Sequence, residues 1–134
     1  MTEHFPAPEP TAVSAPYWDA LKAGHLQFQR CKKCKHAWLP PRGECPNCLA
    51  DQWSWERASG QGKLVSWVVY HIAYHPAFAD KLPYNVAVVE LAEGPRLITN
   101  IVNPTEQGGL RADRPVELAI QQEQGIALAR FRLS

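Results

Sequence analysis

All four cysteines of the chain fall in two pairs, Cys31-Lys32-Lys33-Cys34 and Cys45-Pro46-Asn47-Cys48, with ten residues between them. A C-x-x-C turn carries two thiolates on one tight loop. Two such turns facing each other close a tetrahedral site, with metal–sulfur bonds of about 2.3 Å for zinc. The insert is shorter than the roughly 15–20 residues common in zinc ribbons, a length that a hairpin with a small tip tolerates. Whatever else this chain does, Cys31, Cys34, Cys45 and Cys48 are expected to meet at one point.

Other chemistries of the same residues weigh less. Two disulfides would suit a secreted protein, but Met1-Thr2-Glu3-His4-Phe5-Pro6 has neither the basic start nor the apolar stretch of a secretory signal. A cytoplasmic location, where thiols stay reduced, is the expectation. A thioredoxin-like redox pair needs one C-x-x-C beside a βαβ pattern, which the sequence lacks. Iron in a rubredoxin-like site uses the same four thiolates and stays open; Zn2+ is favoured because nothing else in the sequence points to electron transfer. With four protein ligands the metal is structural and has no open position for a substrate.

Around the cysteines the sequence reads as two modules. Residues 1–16 contain Pro6, Pro8, Pro10 and Pro16 and show no hydrophobic period, so they are expected to form an extended or disordered arm. Tyr17 to Gly24 suits a short helix, with Pro16 at its start and Gly24 just past its end. Leu26 to Arg30 alternates into the first knuckle, Trp38-Leu39-Pro40-Pro41 forms an apolar tip, and Trp53 to Glu56 alternates again. Residues 17–58 are therefore expected to be a helix plus a zinc ribbon. After the Ser59-Gly60-Gln61-Gly62 turn come five strand-like runs, 63–70, 84–91, 96–102, 115–121 and 126–133. Five strands in so short a span predict a mostly β chain, with residues 59–134 forming a five-stranded OB-fold barrel.

No catalytic set emerges. The thiols are committed to metal, and there is no G-x-S-x-G elbow, H-E-x-x-H pair or phosphate loop. The connection 71–83 is the one long loop with unusual chemistry, carrying His71, Tyr74, His75 and Phe78. Pro76 and the lack of a helical period make His71 and His75 loop residues rather than helical metal ligands. No apolar run approaches the ~18 residues that span a bilayer, so no membrane partner is expected. With 14 basic and 13 acidic residues the net charge is +1, whereas a nucleic-acid binder ordinarily carries a basic excess. An OB-fold that binds single-stranded nucleic acid beside a structural zinc ribbon is the alternative function. The aliphatic strand residues Val65, Val69, Val86 and Val88 offer such a strand no stacking surface.

One ordered set of residues resembles a known family. It runs from Tyr17-Trp18 to Gly24, through Gln29-Arg30-Cys31-x-x-Cys34, Pro40-Pro41-Arg42 and Cys45-Pro46-x-Cys48, to Trp55 and Ser59-Gly60-x-Gly62. It continues through Pro83-Tyr84-x-Val86-Ala87-x-Val89-Glu90-Leu91, Glu93-Gly94-Pro95-Arg96 and Pro115-Val116. The pattern is similar to the zinc-ribbon/OB-fold acyl-CoA-associated proteins, domain of unknown function 35. One departure is Lys35, where the family commonly has glycine. The resemblance implies a rubredoxin-like ribbon before an OB-fold. It implies a non-catalytic accessory subunit that braces a thiolase-fold enzyme (a thiolase, a hydroxymethylglutaryl-CoA-synthase-like enzyme, or a CoA-thioester aldolase or acyltransferase) and helps enclose the acyl-CoA. On that view His71, Tyr74, Phe78, Arg96 and Arg42 are candidate CoA contacts. Tyr17, Trp18, Trp38 and Trp53 are candidate exposed aromatics for the partner enzyme, since tryptophan and tyrosine favour interface centres.

Overall fold

A computed structural model describes residues 11–71, 84–106, 108–123 and 125–134. Among the described residues one helix, α1 (Ala15–Lys22), precedes ten strands: β1 (Gln27–Cys31), β2 (Ala37–Trp38), β3 (Trp53–Arg57), β4 (Gln61–Tyr70), β5 (Tyr84–Leu91), β6 (Arg96–Thr99), β7 (Pro115–Leu118), β8 (Gln121–Glu123), β9 (Ile126–Leu128) and β10 (Phe131–Leu133).

The helix starts two residues earlier than the sequence suggests. Thr11 and Ser14 each donate a backbone N–H to the other's hydroxyl, at 2.8 and 3.1 Å, which sets the turn ahead of Ala15 and Pro16. It ends in a Schellman motif: His25 N–H donates to Ala20 O (3.0 Å) and Gly24 N–H to Leu21 O (3.1 Å). Gly24 takes φ +97°, a conformation a side chain resists. The face carrying Ala20 and Leu21 is buried, with Tyr17 and Trp18 half-buried against the barrel core. The helix therefore docks on the barrel of its own chain.

The ribbon is a three-stranded antiparallel sheet in the order β2-β1-β3. Residues β4 to β10 form a second sheet in the order β10-β7-β4-β5-β6, with a β8–β9 hairpin beside it. A register shift between Leu64 and Ser66 bends β4, so that its start pairs with β7 while its length pairs with β5. Gly62 lies at this crossing: a Cβ there would sit 2.7 Å from Glu90 O, so only glycine lets the strands approach. The chain beyond β6 then meets β10. Ile101 bridges Phe131 in parallel, Val102 N–H donates to Phe131 O (2.9 Å), and Phe131 N–H donates to Asn100 O (3.2 Å). The sheet closes on itself, which is the five-stranded OB barrel the sequence predicts.

Two expected strands are interrupted. The runs 115–121 and 126–133 each divide, into β7 and β8 and into β9 and β10. Ala119 N–H still donates to Arg130 O, at 2.6 Å, where the hairpin leaves the barrel. The hairpin is tied back by Arg130, whose guanidinium pairs with both Glu123 oxygens at 2.7 and 2.8 Å. β5 shows the alternation that drives the fold: Asn85, Ala87, Val89 and Leu91 are buried, and the residues between them are half-buried. Among the described residues no helix is long and apolar enough to cross a membrane.

Candidate metal centre and flanking surfaces

β1 delivers Cys31 at its end, and the short turn after it delivers Cys34. The loop after β2 delivers Cys45 and Cys48. Their four sulfurs all lie within 4.8 Å of one another. Cys31 Sγ is 3.6 Å from Cys48 Sγ, and Cys34 Sγ is 3.6 Å from Cys45 Sγ. Tetrahedral bonds of about 2.3 Å put sulfurs about 3.8 Å apart, so the spacing fits one metal ion and is far from the roughly 2.0 Å of a disulfide.

The knuckles are near-copies. Cys31 N–H donates to His36 O and Cys45 N–H to Ala50 O, both at 2.8 Å; Lys35 N–H donates to Cys31 O (3.1 Å) and Leu49 N–H to Cys45 O (2.9 Å). Backbone N–H groups point at the sulfurs: Lys33 and Cys34 at Cys31 Sγ (3.3 and 3.4 Å), Asn47 at Cys45 Sγ (3.4 Å). The Asn47 side-chain amide reaches across to Cys34 Sγ at 3.5 Å. That amide, with the His36 backbone N–H, lowers the Cys34 thiol to about 6. The Cys34 backbone N–H likewise lowers Cys31. At Cys31 and Cys34 donors aimed at sulfur favour the thiolate, the form that binds metal, whereas at Cys48 the lowering effect of the Ala50 N–H is outweighed by burial and the neighbouring cysteines, which push the thiol up to about 11. Each knuckle ends on a residue with left-handed backbone, Lys35 at φ 68° and Leu49 at φ 64°. A side chain there costs about 1–2 kcal/mol, which gives the Lys35 departure its physical meaning.

Trp38 corrects one expectation. It was expected as an exposed aromatic of the tip, but it lies on β2, opposite Gln29, and is only 3% exposed. It packs on Cys31 and Cys45 and meets Trp53 edge-on at 6.4 Å. Pairing with β1 turns its ring into the ribbon, so it is a packing residue. Trp53, Tyr17 and Trp18 are half-buried. Burial raises the Tyr17 hydroxyl to about 12.

The candidate CoA residues are dispersed. His71 is exposed just past β4; Tyr74 and Phe78 lie outside the described residues. Arg96 begins β6 and pairs with Glu90 at 3.4 Å, beside Lys63 at 3.8 Å from the same carboxylate. Arg42 is exposed on the ribbon, where it lines a cleft of about 390 Å³ with Glu44 and Leu49. A larger cleft, about 740 Å³, opens between α1 and the barrel and is lined by Tyr17, Trp18, Tyr84, Ile98 and Arg130. Neither cleft holds both arginines.

Sequence reasoning missed three side-chain amides that stand in for strand neighbours. Buried Gln29 donates to Arg42 O and accepts from Arg42 N–H, both at 2.8 Å, fixing the loop that leads to the second knuckle. Asn85 does the same for Ile101, at 2.9 and 2.7 Å. Asn103 accepts from Leu133 N–H at 2.7 Å. Gln29 sits directly before the Arg30-Cys31 pair, but nothing in its type or spacing marks it as buried.

The OB-fold also leaves an apolar outer face. Val68 pairs with Val86, and Val88 with Ile98, in a row that continues to the Tyr70–Tyr84 ring pair. Ile98 is 75% exposed and Val68 51%.

Comparison with known proteins places this geometry. Residues 18–54 match the ChsH2 rubredoxin-like zinc ribbon domain, and residues 55–121 match the ChsH2 C-terminal OB-fold domain. Over 97 residues the chain is 42% identical to a protein of Thermomonospora curvata named "Probable enoyl-CoA hydratase alpha subunit", covering 72% of this chain and 30% of that protein. It is 36% identical over 75 residues to a DUF35 domain-containing scaffold protein of Methanocaldococcus jannaschii, 55% of this chain and 52% of that one. The match thus spans under a third of the first relative and about half of the second. Among solved structures it superposes on a chain of the Ltp2-ChsH2(DUF35) aldolase with a TM-score of 0.81 and 36% identity, over 95% of this chain and 98% of the other. A Sulfolobus solfataricus DUF35 protein shares the fold, with a TM-score of 0.66 and 14% identity. The chain belongs to the DUF35 family of ChsH2-type proteins, a rubredoxin-like zinc ribbon joined to an OB-fold.

Proposed function

We propose that this chain is a cytoplasmic, non-catalytic accessory subunit of a thiolase-fold enzyme that acts on a CoA thioester. The metal is Zn2+, held by Cys31, Cys34, Cys45 and Cys48, and its role is to order the ribbon. One observation carries the reading: the likeness to a chain of the Ltp2-ChsH2(DUF35) aldolase runs through both modules, over 95% of this chain. The scaffold names of the archaeal relatives agree with it. So does the convergence of every thiol on one metal site, which leaves the chain no cysteine nucleophile.

Among the candidate CoA contacts, Arg42 is better placed than Arg96 to meet a phosphate, because Arg96 already faces Glu90. His71 stands just past the end of β4. Tyr17 and Trp18 border the larger cleft and can contact the partner without leaving the barrel.

The test is co-expression with the thiolase-fold enzyme encoded nearest to this chain in its own genome. Light scattering on the purified material should show a hetero-oligomer, and the enzyme should gain solubility or turnover from its subunit. A stable monomer that changes neither property would overturn the proposal. Metal analysis of the same sample should give one zinc per chain, and iron at that stoichiometry would correct the metal.

A further inference from the structure

The ribbon carries a charge that the rest of the chain does not. Residues 26–58 hold six basic residues and three acidic ones, while the remainder holds eight basic and ten acidic. Arg30 is committed, with its guanidinium on Glu56 (2.9 Å) and on Lys35 O (2.8 Å). Lys32, Lys33 and Lys35 are exposed, and among the described residues none of the three forms an ion pair.

The second knuckle presents a different group at the matching place. Cys31 and Cys45 are buried, whereas Cys34 and Cys48 are exposed, so the last two mark the solvent side of the cluster. Lys35 follows Cys34, and Leu49 follows Cys48. Leu49 is 70% exposed, a large apolar side chain in water. Both residues hold left-handed backbone that glycine would adopt without strain. Both side chains are exposed, and backbone strain of this kind gathers at functional sites.

We propose that the knuckle face, Leu49 flanked by Lys32, Lys33 and Lys35, docks on the partner enzyme, and that the partner meets it with an apolar socket rimmed by acidic residues. The charge selects the partner chemistry. A lysine arc that forms no ion pair among the described residues steers toward a negative surface and raises the association rate, while the leucine, once covered by the partner, slows dissociation. The inference rests on the accessory-subunit reading above. The competing account is that the lysines only offset the negative charge of four thiolates around a divalent ion.

The experiment compares the full chain with Lys32→Glu/Lys33→Glu/Lys35→Glu and with Leu49→Gly, as binding kinetics to the co-encoded thiolase-fold enzyme across a range of ionic strength. The charge reversal should keep its metal, lose at least about tenfold in association rate, and flatten the salt dependence. Leu49→Gly should dissociate faster while melting no lower than the parent, opposite signs that a merely structural role would not produce. Parental association and dissociation rates in both variants would overturn the docking surface while leaving the accessory reading standing. Metal loss in the charge reversal would assign the lysines to the thiolates instead. Tight, salt-sensitive binding of a single-stranded oligonucleotide, abolished by the charge reversal, would give the face to nucleic acid. Failure of the unaltered chain to bind the enzyme at all would sink both readings.

Discussion

The ribbon and the barrel are held together by different forces. Among the described residues the barrel buries fourteen apolar residues in one cluster, from Leu21 and Leu26 to Phe131 and Leu133. The ribbon buries Cys31, Trp38 and Cys45, with Ala50 and Trp53 packed on them. Two of those three buried residues belong to the four-cysteine cluster. A module so small cannot remove enough apolar surface from water to offset its chain entropy, so a metal has to supply the difference. The barrel needs no such help. The border between the two lies inside β1: Phe28 belongs to the barrel core and Cys31 to the ribbon core, three residues apart on one strand.

The largest expected effect breaks that border directly. Cys31→Ser, or a strong chelator, removes a contribution that in small zinc modules reaches ~10–16 kcal/mol. Amide exchange should lose its protection from residue 31 through the second knuckle, while β4 and β5 keep theirs. Partner assembly should be lost as well if the knuckles carry it. Collapse of protection in β4 and β5 together with the ribbon would show one cooperative unit, and the contrast between metal-held and apolar-held halves would be wrong.

The reciprocal experiment empties the other core. Phe131 is fully buried where the chain beyond β6 closes on β10, so Phe131→Ala should cost about 3–5 kcal/mol. A urea titration followed by circular dichroism should show an earlier barrel transition. Metal release, followed with a chromogenic chelator, should stay at its original denaturant concentration. Simultaneous release would again argue for a single unit.

A third, smaller effect isolates the helix that sits on the barrel. Burial raises Tyr17 from the ordinary value of 10 to about 12. The folded state therefore holds its proton more tightly than the unfolded chain does. That contribution is intact below pH 10 and is lost as pH rises through 12, at most about 3 kcal/mol. Tyr17→Phe should keep more of its stability between pH 10 and 12 than the parent does. Parallel losses in the two proteins across that window would show that the hydroxyl reaches solvent.

Much of this architecture was legible because its signals are local. The cysteine spacing names the metal site, since two thiolates on one turn have little choice of geometry. β5 announces itself through alternation, with Ala87, Val89 and Leu91 turning inward. What escaped is what depends on distant partners. Trp38 looks like a tip residue between Ala37 and the Leu39-Pro40-Pro41 run, and only the pairing of β2 with β1 buries it. Gln29, Asn85 and Asn103 are polar residues whose amides replace missing strand neighbours, and residue type carries no sign of that duty. The breaks at 119–120 and 129–130 have no glycine or proline to mark them; they exist because the hairpin leaves the barrel there. The candidate CoA set drew residues from both modules by chemistry alone, and neither of the two clefts described holds both Arg42 and Arg96.

The smallest prediction compares how the two halves turn their chain. On the barrel side, α1 leaves through Gly24 at φ +97°, with open space around the position. On the ribbon side, both knuckles turn through non-glycine residues, Lys35 at φ 68° and Leu49 at φ 64°. Gly24→Ala should therefore destabilise the barrel by about 1 kcal/mol, through backbone strain with no clash. Lys35→Gly should do the reverse to the ribbon. Relief of the left-handed strain, less the extra entropy that glycine gives the unfolded chain, leaves a gain of at most about 1 kcal/mol. Because ribbon folding and metal binding are one equilibrium, the gain should appear as up to roughly fivefold tighter zinc in a competition titration, with the barrel transition unmoved. Weaker zinc in Lys35→Gly would mean that the lysine side chain contributes more to the site than its backbone strain costs. The knuckles would then be shaped for the metal before any partner.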